Sequence, residues 1–163
     1  MSATGVEVFD KTLQTTNIWL NEITAELGLD RRLAWHVLGA VLRALRDRLP
    51  VDEAAHLGAQ LPLLVRGLYY DQWHPAATPQ KIRDRDEFIA RVGTGLKGIR
   101  PLDAEDTTRT VFQVLSRHLD AGEITKVEGT LPHEIRTMWQ AERIKAAQPA
   151  GGADQGGAAW SFG

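Results

Sequence analysis

The stretch VLRALRDRLPVDEAAHLGAQLPLLVRGLY, residues 41–69, returns in altered form as VFQVLSRHLDAGEITKVEGTLPHEIRTMW, residues 111–139. At a constant offset of 70 and without a gap, seven of the 29 aligned positions are identical: Val41/Val111, Leu45/Leu115, Leu49/Leu119, Glu53/Glu123, Leu61/Leu131, Pro62/Pro132 and Arg66/Arg136. Apolar character is kept at Leu42/Phe112, Leu57/Val127, Val65/Ile135, Leu68/Met138 and Tyr69/Trp139. An internal repeat constrains a fold strongly, because one pattern must serve twice and the units must bury their apolar faces against each other.

Each unit reads as helices. Phe9, Leu13, Ile18, Leu20, Ile23 and Leu27 suggest a first amphipathic helix that stops at Gly28. Asp30 suits the cap of a second, whose apolar stripe runs through Leu33, Val37, Leu38, Val41, Leu42, Leu45 and Leu49. A short third helix covers about 52–60, and Pro62 opens a fourth, where its missing N–H costs nothing. In the second unit Asp103 and Asp120 are natural caps, and Asp120 with Glu123 has capping-box spacing. Nothing alternates at period two, so the expectation is all-α: a compact helical bundle of two tandem homologous four-helix units in a pseudo-two-fold relation. The expected boundaries are an extension at 1–7, a first unit at 8–73, a linker at 74–84, a second unit at 85–144, and a flexible Gly/Ala-rich tail at 145–163.

GTGLKG, residues 93–98, fits the G-x-G-x-x-G pattern of a dinucleotide loop. Such a loop needs a buried apolar strand before it and a helix after it, so that the pyrophosphate meets a helix N-terminus. Here Phe88, Ile89 and Val92 stand at helical spacing among Asp86, Glu87 and Arg91, and Gly98 aligns with Gly28. A glycine-rich helix end is the better reading.

Composition excludes several chemistries. The 163 residues include no cysteine, so disulfides, thiolate nucleophiles and cysteine-ligated metals are ruled out. The formal net charge of −2 gives no general attraction to nucleic acid or anionic membrane. No apolar run approaches the roughly 18 to 20 residues that span a bilayer, and MSATGVEVFDKTLQ lacks the features of a signal peptide. A cytoplasmic protein is expected. The histidines, His36, His56, His74, His118 and His133, never pair at i, i+4, so no metal site and no cofactor are expected. The serines, Ser2, Ser116 and Ser161, lie in no nucleophile context. Acidic groups such as Asp84/Asp86/Glu87 and Asp103/Glu105/Asp106 read as helix starts, where negative charge complements the dipole.

LPLLVRGLYYDQWHP, residues 61–75, followed by Pro79, Arg83, Glu87 and Phe88 at P-x-x-x-R-x-x-x-E-F spacing, resembles the bacterial domain of unknown function 2267 family. The resemblance covers roughly residues 8–140, and the duplicated layout belongs to it. It implies an all-helical bacterial protein and supplies no reaction and no catalytic residues. The second unit has Met138 and Trp139 in place of Leu68 and Tyr69 and lacks the following YDQWHP, so a site built there should exist once.

Three features are candidates for function. Tyr69, Tyr70, Trp73 and His74 form the most distinctive cluster; Tyr69/Trp73 and Tyr70/His74 are i, i+4 pairs. Read one way they are a plug closing the first unit, read another an interface or ligand surface. Arg66 and Arg136, repeated together with Glu53 and Glu123, read either as anion clamps or as arginine stems pairing with their own unit's glutamate; an Arg–Glu contact within each unit is expected. The tail ends in Trp160 and Phe162 after a Gly/Ala linker, the layout of a docking peptide or of an untidy terminus. The basic residues Arg43, Arg46 and Arg48 alternate with acidic partners, which suggests a solvated face. The favoured expectation is therefore a non-catalytic interaction or adaptor protein binding another protein. A small-molecule-binding protein, with a pocket between the units lined by Tyr69, Tyr70 and Trp73, is the alternative, and an enzyme of unrecognised type the third.

Overall fold

The computed structural model describes residues 3–148. Among these the chain forms eight α-helices and no strand: α1 (Glu7–Leu27), α2 (Arg31–Arg48), α3 (Val51–Gln60), α4 (Leu63–Tyr70), α5 (Arg85–Gly95), α6 (Ala104–His118), α7 (Ala121–Thr130) and α8 (His133–Ala147). The ends of α2 and α6, both bounds of α3 and α7, and the starts of α4 and α8 stand 70 residues apart.

Local chemistry sets most of these limits. Asp30, Asp84, Asp103 and Asp120 each accept a hydrogen bond from the backbone N–H three residues on, satisfying a donor that the first turn leaves free. Gly28 adopts φ 65°, and its N–H returns to Thr24 O, a left-handed stop that a side chain would resist. Pro50, Pro62 and Pro132 precede α3, α4 and α8 without side-chain caps.

The two halves are interleaved rather than stacked end to end. α1 packs on α6, α2 on α5 and α3 on α7. One continuous core results, with Val37, Leu38, Val41, Leu42 and Leu45 of α2 and Val111, Phe112, Val114 and Leu115 of α6 all inaccessible. Phe112 stacks on Trp139 at 4.5 Å and lies 6.0 Å from Phe88, joining α6, α8 and α5. Fully burying rings and branched chains of this kind is worth about 1.5–3 kcal/mol each, and the core they form crosses between the two halves of the chain where α1 packs on α6 and α2 on α5.

The GTGLKG segment is a helix end. α5 runs through Gly95, and Gly98 has φ 87°. A Cβ on Gly95 would stand 3.1 Å from Ala40 Cβ, so this glycine lets the α5 backbone lie close against α2. No strand precedes it and no helix N-terminus follows directly, the two requirements for holding a pyrophosphate.

Candidate functional site

The aromatic cluster runs from buried to exposed. Tyr69 is fully buried and donates its hydroxyl to Ala54 O at 2.7 Å; burial first, and then the neighbouring Tyr70, hold that phenol protonated far above its ordinary range. Tyr70 is partly buried, and its hydroxyl reaches Ala55 O at 3.2 Å. The helical spacing expected for Trp73 and His74 does not hold, because α4 ends at Tyr70 and Gln72 takes φ 60°. Trp73 therefore folds back to stack on Tyr70 at 5.4 Å instead of lying beneath Tyr69, while His74 is exposed. Both tyrosines sit against α3, in the manner of a plug. Gly58 leaves the room: a Cβ there would meet Tyr70 Oη at 2.2 Å.

Arg66 and Arg136 do the same work in each half, and it is not the expected ion pair with glutamate. Arg66 donates to Gly58 O at 3.0 Å, Ala59 O at 3.2 Å and Leu61 O at 3.1 Å. Arg136 donates to Glu128 O at 2.9 Å, Gly129 O at 3.5 Å and Leu131 O at 3.0 Å. Each guanidinium fork caps the C-terminal carbonyls of the preceding short helix, where unpaired acceptors and the negative end of the dipole attract a cation. Glu53 and Glu123, freed from that role, meet each other across α3 and α7. Burial first, then the hydrogen bond to Glu53 and its charge, raise the affinity of Glu123 for a proton, opposed by His56 and Lys126. One oxygen of each carboxyl is buried with no other partner.

The run Arg46-Asp47-Arg48 straps the connection between the halves onto α2, although its alternating charges suggested a solvated face. Arg46 is 4% exposed; its Nη1 donates to Tyr69 O at 2.8 Å and Asp71 O at 2.9 Å, and its Nε to Asp47 Oδ1 at 2.9 Å. Asp47 O accepts from Gln80 N at 2.7 Å, and Arg48 Nε donates to Ile82 O at 2.7 Å. Arg46 and Asp47 are buried because they pair with each other and Arg46 also donates to backbone carbonyls at the end of α4 and just beyond it, partners absent from any local pattern.

Beside this strap a cleft of about 370 Å³ opens between α2, residues 71–80 and α5. Its walls carry Arg43, Arg46, Asp47, Asp71, His74 and Arg91, and none of Tyr69, Tyr70 or Trp73. On another side of the molecule, Leu64 N donates to Thr12 Oγ1 at 3.1 Å, tying the start of α4 to α1. Large apolar side chains of these two helices are exposed: Val8 is 53% exposed, Phe9 51% and Leu63 48%, with Leu13 and Leu64 also exposed. Val8, Trp19, Leu61 and Leu63 line a groove of about 400 Å³ there.

Elsewhere, buried Glu142 binds Arg109 at 2.9 Å and Gln113 at 2.5 Å; burial alone would raise its proton affinity, but these bonds and Lys145 outweigh it and the carboxyl stays below its ordinary range. Ser116 accepts from Trp139 Nε1 at 3.0 Å and donates to Phe112 O, a packing role. Among the described residues no group of three or more His, Asp or Glu is arranged to hold a metal ion, and no helix is long and apolar enough to cross a membrane. Trp160 and Phe162 lie outside the described residues.

A family of uncharacterized conserved proteins, domain of unknown function 2267, matches residues 16–138. The chain belongs to that family. The matched span holds every charged wall of the cleft, the Glu53/Glu123 contact and both capping arginines. It begins after Val8, Phe9 and Leu13, so the apolar rim on α1 lies outside it. No curated protein matches the chain.

Proposed function

We propose that this protein is a non-catalytic interaction module that binds an apolar segment of another protein. Tyr69 is buried and Tyr70 and Trp73 are partly so, which favours a contact surface on the edge shared by α1 and α4 over one on these rings. One observation carries the reading: Val8, Phe9 and Leu13 of α1 and Leu63 and Leu64 of α4 all remain exposed on two helices that the Thr12–Leu64 bond joins, and Val8 and Leu63 line one groove. Clustered large apolar side chains on a soluble chain's surface cost free energy in water and mark contact sites. Trp160 and Phe162 are proposed as a second, tethered contact, on the strength of the sequence alone. The parallel capping by Arg66 and Arg136 supports reading the chain as two homologous units, with a pseudo-two-fold axis passing near Glu53 and Glu123.

The test is affinity capture with three baits: the full chain, a Phe9→Ser/Leu63→Ser variant and a chain ending at Gln148. A partner retained by the full chain and lost by the double variant, with unchanged helicity and melting, supports the α1–α4 surface. Loss on truncation alone would move the contact to the tail. Equal recovery by all three baits sinks the proposal.

A further inference from the structure

The cleft between α2 and α5 has the features of a built anion site. Three arginines, Arg43, Arg46 and Arg91, face two aspartates, Asp47 and Asp71, which leaves one positive charge in excess. Arg46 is a fixed element at the base, because its Nε and Nη1 are held by Asp47, Tyr69 O and Asp71 O. Arg43 and Arg91 differ. Arg43 Nη2 stands 3.4 Å from Asp71, and Arg91 Nη2 stands 3.4 Å from Asp47, against 2.9 Å for the Arg46–Asp47 pair. Ordinary N–H···O bonds lie near 2.9–3.0 Å, and a guanidinium has five donors, so both forks keep donors that the protein does not satisfy. Arg43 Nε is buried without an acceptor.

The backbone brings together the two helices that carry these forks. Gly95 brings α5 against Ala40 of α2, and Arg43 and Arg91 each lie one turn from that contact. Gln80, pinned by its N–H to Asp47 O, and Thr78 close the side. A volume of about 370 Å³ admits a small molecule but not a folded partner.

We propose that this cleft binds a small molecule through a carboxylate or phosphate group gripped between Arg43 and Arg91, with Arg46 contributing fixed charge from below. Guanidinium forks match both oxyanions bidentately, and the single excess charge suits a monoanion. The site is separate from the apolar α1–α4 edge, so either can fail without the other.

The experiment is a nitrogen–proton NMR titration of the full chain with inorganic phosphate, and separately with acetate, at constant ionic strength made up with chloride. Saturable shifts confined to the side-chain Nε–H of Arg43 and Arg91 and to the Thr94 and Gly95 amides are expected, and the better-bound anion distinguishes the two sources. Arg91→Gln, on an exposed side chain, should weaken binding at least fivefold, and Arg83→Gln, outside the cleft, should leave it unchanged. Arg43→Gln should act like Arg91→Gln; if it unfolds the chain, Arg91→Gln decides. Shifts that never saturate, that spread equally over Arg31 and Arg117, or that survive Arg91→Gln overturn the proposal.

Discussion

The carboxyl groups of Glu53 and Glu123 face one another between α3 and α7, each with an oxygen buried and otherwise unpartnered. Two ionised carboxylates in that position repel; one proton shared between them makes a hydrogen bond. The contact joins helices from opposite halves of the chain, so its protonation bears on how firmly the halves hold together.

Glu123 holds its proton more tightly in the folded chain than in the unfolded one. Its contribution to stability is therefore complete below the ordinary carboxylate range and is lost as pH rises through its raised folded value. Glu123→Gln, which supplies a permanent donor to Glu53, should stabilise the protein by about 1 kcal/mol at pH 7.5 and make little difference near pH 4.5. Denaturant unfolding of both chains at the two pH values measures this, and a difference that does not change with pH would falsify the shared proton.

Arg66 caps α3 through three carbonyls and leaves Glu53 alone. Arg66→Lys, which keeps the charge but not the fork, should cost about 1–2 kcal/mol. Combined with Glu53→Gln, the two effects should add to within about 0.5 kcal/mol. A coupling energy above that in a double-mutant cycle would restore the ion pair expected from sequence.

Gly58→Ala should push Tyr70 off its seat, since the new Cβ would fall 2.2 Å from the hydroxyl. Because the clash is with the far end of a half-buried side chain, the cost should be about 1 kcal/mol, with a change in tryptophan fluorescence as the Trp73 stack opens. In a Tyr70→Ala background the penalty should disappear. A penalty that persists there would place the strain in α3 itself.

Helix limits were largely legible in the chain because their causes are local. Asp30, Asp103 and Asp120 act on donors three residues away, Gly28 stops its helix by its own φ, and the α2 stripe is written at 3.6-residue spacing. The helical end at GTGLKG followed from the same kind of reading.

The candidate sites were less legible. Trp73 and His74 counted as helical only while α4 was assumed to continue past Tyr70. Arg46 and Asp47 look like ordinary surface charges until residues 71–80 fold over them, and Glu53 finds its partner 70 residues away.

The sequence by itself determined the all-helical class, most helix boundaries and the apolar stripes, since short-range hydrogen bonding and periodic burial act within a few residues. Only the tertiary structure decided which charges and which rings are buried, and that Arg43 and Arg91 line a common cleft. Those outcomes depend on backbone carbonyls and helix faces that become neighbours only when α2, α5 and the connecting segment close on one core, an arrangement no local pattern encodes.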